Sequence, residues 1–312
     1  MTGPRIALVG AGAMGSLHAR VLAGSPRCSL AVVVDPAPDA RVVARRYDVP
    51  WAPALDLTGV DAVVLAAPTP AHYPLALDVL SADVPLLVEK PVCDDLARTH
   101  DVVRLAETRD VPLMCGLLER FNPGVLTAAA LVSSPVHVSA VRHSPYAPRI
   151  RTGVGWDLLV HDVDIAIRCF GAAPHRVAGS RGHFHPTSDT GAEDVLDVLL
   201  EFPCGGLASA SARRIGQRKV RALTIFEVDR LVEVDLLRRD VTIYRHVSND
   251  APPDGLGYRQ QTVIEIPEPV STREPLAAQL DRFLDVVEGT VDAAEERRSI
   301  LPAHEVVAAA LK

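Results

Sequence analysis

The 312-residue sequence predicts an α/β protein in two parts, a doubly wound parallel sheet over residues 1–119 and a sheet-rich α/β domain over 120–312. Three observations carry the prediction. Short, nearly continuous apolar runs alternate with helix-like segments as far as about residue 118, the pattern of strands covered by helices on both faces. A glycine-rich turn follows the first apolar run directly. Beyond Pro123, strand-like segments succeed one another without intervening helices, the mark of antiparallel pairing.

Strands of the first half are expected at Ile6–Val9, Ala31–Val34, Ala62–Leu65, Leu86–Val88 and Leu113–Cys115. Helix-start signals lie between them, Pro38-Asp39 and Asp94-Asp95 among others. In the second half one strongly apolar helix is expected near 156–170. Strands are expected at Val136–Val141, Val195–Phe202, Leu207–Ala212, Val220–Phe226, Leu231–Leu236, Val241–Tyr244 and Thr262–Ile266. Helices return near 274–288 and 302–311, and Ser248–Gly257, rich in Pro, Asp and Gly, reads as an exposed loop.

Composition narrows the class of function. Hydrophobic residues at 48% and charged residues at 23% suit a globular protein with a large core. The formal charge of −7 carries no long basic run, which argues against nucleic acid or an anionic membrane as partner and for a small molecule. Five scattered cysteines without a CxxC pair favour neither disulfides nor a metal knuckle, so no metal is expected. Without a signal-peptide pattern or a long apolar span, a cytoplasmic protein is expected.

The strand Ile6–Val9 runs into Gly10-Ala11-Gly12-Ala13-Met14-Gly15 and then a helix. Gly10 would permit the tight turn, Gly12 the approach of a pyrophosphate, and Gly15 close packing of helix on strand, with Ala13 and Met14 at the helix N-terminus facing the phosphates. Asp35 stands twenty residues beyond Gly15, the spacing of a carboxylate that binds the ribose 2′-hydroxyl. This is a Rossmann fingerprint. Asp35 would repel a 2′-phosphate, so NAD is favoured over NADP, unless Arg41, Arg45 and Arg46 turn inward to offset it.

Glu89-Lys90-Pro91 follows the strand Leu86–Val88, which puts Glu89 and Lys90 at the carboxyl edge of the sheet with the glycine turn and Pro68-Thr69-Pro70-Ala71-His72. Pro68, Thr69 and His72 are therefore expected at the cofactor, His72 near its nicotinamide ribose. At ~100° per residue, Asp157, His161, Asp164 and Arg168 fall within a stripe ~60° wide on an otherwise apolar helix interrupted by Asp162. Such a stripe is expected to face a solvated cleft or a network of partners.

Together, Gly10–Gly15, Glu89-Lys90-Pro91 and Asp157-Leu-Leu-Val-His161 resemble the glucose-fructose oxidoreductase / inositol dehydrogenase / rhizopine catabolism (Gfo/Idh/MocA) family. The resemblance implies an NAD-dependent oxidoreductase acting on CH–OH groups, with Lys90, Asp157 and His161 catalytic. It also implies a second domain with a large open, mainly antiparallel sheet that joins homodimers or homotetramers. Glu119-Arg-Phe-Asn-Pro123 and Lys219-Val-Arg221 are similar to a branch that oxidises C3 of UDP-N-acetylglucosamine, whereas Ser211-Ala-Arg-Arg214 departs from the usual pattern. Arg120, Asn122, Trp156 and Arg213, together with Arg214 and Lys219, are candidates for the substrate. Dehydrogenation of an inositol, aldose or sugar phosphate, keto-sugar reduction, and a non-catalytic NAD sensor are the alternatives.

Overall fold

The structure is a computed structural model and describes residues 3–249 and 259–312. The first sheet is built from β1 (Arg5–Val9), β2 (Ser29–Val34), β3 (Trp51–Ala52), β4 (Ala62–Leu65), β5 (Leu86–Glu89) and β6 (Leu113–Gly116). Its order is β3-β2-β1-β4-β5-β6, with every pair parallel. That is the doubly wound order in which the strand direction of travel reverses beside β1, where ligands of such sheets bind. β4 and β5 are buried along their whole length. This is why they read as continuous apolar runs rather than alternating ones.

Helices α1 (Ala13–Gly24), α2 (Arg41–Arg46), α3 (His72–Ser81) and α4 (Leu96–Arg109) connect these strands. Asp95 caps α4 by accepting from the Arg98 amide, as the Asp94-Asp95 signal led one to expect. At Pro38-Asp39 the chain first makes a short 3₁₀ turn and only then α2. Edge strand β3 escaped the sequence pattern because two residues give no periodicity.

After α5 (Pro123–Leu131) come β7 (His137–His143), a π-helical turn at Gly155–Leu159 running into α6 (Val160–Phe170), and β8 (Arg176–Gly182). β9 (Val195–Glu201), β10 (Leu207–Arg213), β11 (Val220–Phe226), β12 (Leu231–Asp235), β13 (Asp240–Asn249) and β14 (Arg259–Glu265) follow. They form one sheet in the order β14-β13-β12-β11-β7-β10-β9-β8. All its pairs are antiparallel except β7 with β10, which run parallel in register from His137–Leu207 to His143–Arg213. Burial alternates along β7, with Val138, Ala140 and Arg142 on the covered face. β8 went unrecognised because Arg176–Gly182 is mostly exposed and carries only two apolar side chains, Val177 and Ala178. The loop expected at 248–257 lies, from residue 250 on, outside the described residues, and Ser248 and Asn249 end β13.

Helices α7 (Pro275–Val287), α8 (Ala293–Arg298) and α9 (Leu301–Ala310) close the chain. Two compact units result: Met1–Leu118 with Glu274–Ala308, and Glu119–Arg273 with Ala309–Lys312. The first division falls at 118–119, beside the 119–120 of the sequence reading, and Glu274–Ala308, expected in the second domain, clusters with the first unit. The reason is packing: α7 contacts α1, and α8 contacts β6 and α4. Among the described residues no helix is long and apolar enough to cross a membrane.

Candidate active site

In the first unit the glycine turn is shaped as dinucleotide binding requires. Gly10 has φ +95°, the left-handed region that favours glycine, and a Cβ there would collide with the backbone of Ala66 and Ala67. A Cβ on Gly15 would collide with the Gly10 carbonyl, so helix α1 can lie against β1 only with glycine there. Around Gly12, by contrast, a Cβ would meet nothing within 4 Å, which leaves open space at the N-terminus of α1 for a phosphate to approach the backbone. Ala13 and Met14 form the first turn of that helix. The residues present fit a dinucleotide.

Asp35 follows β2, half-buried, with Oδ2 accepting from the Ala11 amide at 2.8 Å and Oδ1 from the Ala37 amide at 2.8 Å. The carboxylate is thereby held against the glycine turn. Of the three arginines on α2, Arg41 stacks its guanidinium 4.2 Å above the Trp51 ring, whose Nε1 donates to the Asp35 carbonyl at 3.1 Å.

The strand end β5 delivers Glu89 buried and Lys90 half-buried, followed by a cis Lys90–Pro91 peptide. Glu89 is turned to His18 of α1, with Oε1 2.7 Å from His18 Nε2. His72 departs from expectation. It is 1% exposed, with Nδ1 3.0 Å from the Pro91 carbonyl and Nε2 2.8 Å from the Ala67 carbonyl, which leaves no ring nitrogen for a ribose. Pro68 caps the 3₁₀ turn Thr69–Ala71, exposed beside half-buried Thr69 at the same sheet edge. Burial, then Asp94, pushes the nearby Cys93 thiol up to about 12, so it stays protonated at neutral pH and is no nucleophile.

In the second unit, the helix expected near 156–170 opens with a π turn, a wider winding common at functional sites. Buried Glu193 holds its start, Oε1 accepting from the Gly155 amide at 2.6 Å. This turn carries buried Trp156 and half-buried Asp157, and His161 follows in the first turn of α6. Along the stripe, Asp164 meets a partner in a buried ion pair, one of the two surroundings expected, whereas Arg168 is exposed.

That ion pair also revises Arg120. Its Nε donates to Asp164 Oδ2 at 2.8 Å and its Nη2 to Oδ1 at 2.6 Å, both side chains nearly sealed, so the guanidinium braces α6 rather than standing ready for a diphosphate. Asn122 is likewise structural. Its Oδ1 accepts from the Gly124 amide, capping α5, and its amide donates to Glu119 and to the Leu236 carbonyl. Arg214 is buried on the carbonyls of Ile150 and Thr152. Arg213 remains half exposed, 3.5 Å from Asp197, and Lys219 is exposed.

The group of charges beneath α6 was not anticipated. Asp162, the apparent intruder on that helix, receives Arg142 at both oxygens, and Arg142 Nη1 donates to Glu119 Oε1 at 2.7 Å. Burial alone would lower Arg142, but Asp162 and Glu119 outweigh it and hold it well above its usual value. Arg221 lies opposite Arg142 in the β7–β11 ladder, where burial and then Arg142 bring it down to about 10. The alternation Val138, Ala140, Arg142 along β7 was the available signal, since it puts a charge on the apolar face.

Comparison with known proteins agrees with this geometry. Residues 4–117 match the family described as oxidoreductase, NAD-binding Rossmann fold, and residues 131–226 match the Gfo/Idh/MocA C-terminal domain. UDP-N-acetylglucosamine 3-dehydrogenase of Acidithiobacillus ferrooxidans is 29% identical over 289 residues, covering 91% of this chain and 88% of that protein. Its solved structure superposes with a TM-score of 0.82 over 100% of both chains at 27% identity. Inositol 2-dehydrogenase of Rhizobium meliloti is 26% identical over 67% of this chain and 68% of its own. The chain belongs to the Gfo/Idh/MocA family of NAD-binding oxidoreductases, acting on the CH–OH group of its donors.

Proposed function

We propose that the protein is an NAD-dependent dehydrogenase that oxidises a secondary hydroxyl of a sugar, at C3 of a nucleotide amino sugar such as UDP-N-acetylglucosamine, to the keto sugar. The likeness along 91% of the chain to a UDP-N-acetylglucosamine 3-dehydrogenase carries this reading. Bound NAD supplies the hydride acceptor. Gly10, Gly12, Ala13, Met14 and Gly15 hold its pyrophosphate, and Asp35 its adenosine ribose, excluding a 2′-phosphate by charge. Pro68 and Thr69 line the same edge.

His161 takes the hydroxyl proton, a task suited to an imidazole near neutral pH. Lys90 donates a hydrogen bond to the reacting oxygen and stabilises the charge that develops there. Asp157 binds a neighbouring hydroxyl and, with Trp156, orients the ring. Arg213 and Lys219 are the remaining exposed candidates for an anionic part of the substrate. The open sheet face, where Leu199 is 63% exposed and Ser139, Ser209 and Ser211 offer small side chains, joins a second copy of the chain.

The test is NAD reduction, followed by absorbance, with UDP-N-acetylglucosamine, free N-acetylglucosamine and myo-inositol. Turnover confined to the nucleotide sugar supports the proposal. Turnover of the free compounds alone removes the nucleotide from it and favours the inositol-type activity named for the Rhizobium relative.

A further inference from the structure

Three buried histidines of the first unit surround the residues flanking Lys90. His18 of α1 holds the Glu89 carboxylate at 2.7 Å, on the N-terminal side of the lysine. His72 of α3 holds the Pro91 carbonyl at 3.0 Å. His304 of α9 accepts from the Val92 amide at its Nε2, 3.2 Å away, while its Nδ1 donates to the Ile300 carbonyl at 2.8 Å. None is more than 3% exposed. Three separate helices thus converge on positions 89, 91 and 92, on either side of Lys90.

Packing alone does not account for this. Apolar side chains would fill the same volumes, whereas His72 and His304 meet backbone groups beyond the end of β5 and His18 meets the buried Glu89 carboxylate. Space has been made for the first contact: a Cβ on Gly116 of neighbouring β6 would lie 2.9 Å from Glu89 Oε2. Two of the contacts also tie the lysine to the cofactor edge. His18 belongs to the helix that begins at the glycine turn, and the second nitrogen of His72 lies 2.8 Å from the Ala67 carbonyl beyond β4, so that one ring N–H serves one or other of two carbonyls.

We propose that His18, His72 and His304 are positioning residues that fix the backbone and carboxylate on either side of Lys90 and so aim its ammonium group. This rests on the reading of Lys90 as catalytic. The sequence holds only three lysines, Lys90, Lys219 and Lys312, so protein labelled with ¹³C at lysine Cε gives three assignable signals. Glutamine at position 18 or 304 retains a hydrogen-bonding group, and methionine has similar volume without one.

In full-length protein saturated with NAD, His18→Met and His304→Met are expected to shift the Lys90 signal and leave those of Lys219 and Lys312 in place. The matching Gln variants return it towards the wild-type position. Turnover in the Met variants falls about tenfold or more, the scale of a misplaced catalytic group, with the Kd for NAD within about twofold. A Lys90 signal unmoved in both Met variants overturns the proposal. Should a Met variant not fold, Glu89→Gln loosens the same pair from the other side at constant volume, and an unmoved signal there has the same force. Full turnover in Lys90→Ala would instead overturn the catalytic reading of the lysine, an outcome separate from the spectral one.

Discussion

Arg142 is the side chain whose loss the second unit should feel most. Its Nε lies 2.8 and 2.9 Å from the two oxygens of Asp162, its Nη2 lies 2.6 Å from Oδ1, and its Nη1 lies 2.7 Å from Glu119. The arginine side chain is 3% exposed, Asp162 1% and Glu119 19%. Arg142→Met keeps much of the volume but strands the Asp162 charge where water cannot reach it. Removing one partner of such a pair costs about 3–5 kcal/mol. Glu119 adds less, because it is partly solvated and keeps the Asn122 amide at 2.9 Å. For a domain of this size each kcal/mol moves the melting point by about 2–4 °C, so a fall of about 10 °C is expected by calorimetry. Arg142→Met with Asp162→Leu removes the stranded charge as well and should lie within about 1–2 kcal/mol of wild type in urea unfolding, because apolar replacement of a whole buried pair is close to neutral. A double variant no more stable than the single one would refute the electrostatic account.

Other expectations follow from the same structure. Burial would raise the Glu119 carboxyl, but Arg142 and then the Asn122 amide outweigh it, so its native value lies below the ordinary 4.5. The stability it contributes is therefore complete above that ordinary value and is lost as pH falls through the lower native one; Arg142→Met should flatten this acid limb in urea titrations at graded pH. Asp35→Ala leaves the Ala11 and Ala37 amides without their acceptor and removes the 2′-hydroxyl ligand. The KM for NAD should rise about tenfold or more, a loss on the scale of a charged hydrogen bond, while that for NADP falls, and unchanged constants would discard its role. Gly15→Ala has no room beside the Gly10 carbonyl, so NADH binding followed by fluorescence should weaken by more than about tenfold, and near-native binding would show that the turn can yield.

Much of the first unit was legible because its strands are buried on both faces. Ala62–Leu65 and Leu86–Val88 needed no partner information to be recognised, and the glycine spacing named the ligand class. What escaped was whatever depends on the partner across space. Asp162 stood off the polar stripe and Asp164 on it, yet neither position told which partner it would meet, and the fold gives them Arg142 and Arg120. His18 and His304 carried no signal for a similar reason: their partners lie 71 and 212 residues away. The return of Glu274–Ala308 to the first unit was hidden because amphipathic spacing says that a helix packs, not against what.

The parallel register of β7 with β10 constrains how the sheet can come into being. Two neighbours running the same way cannot be joined by a hairpin, and roughly sixty residues, α6 among them, must be looped out before they meet. Pairing at the sheet centre is therefore long-range in sequence, and the segment bearing Asp157 and His161 lies within the very loop that has to close. Deleting that helix to test the proposed roles of Asp157 and His161 would cost the chain its connection as well. A descendant that abandoned catalysis would therefore be expected to keep the helix and change only its side chains.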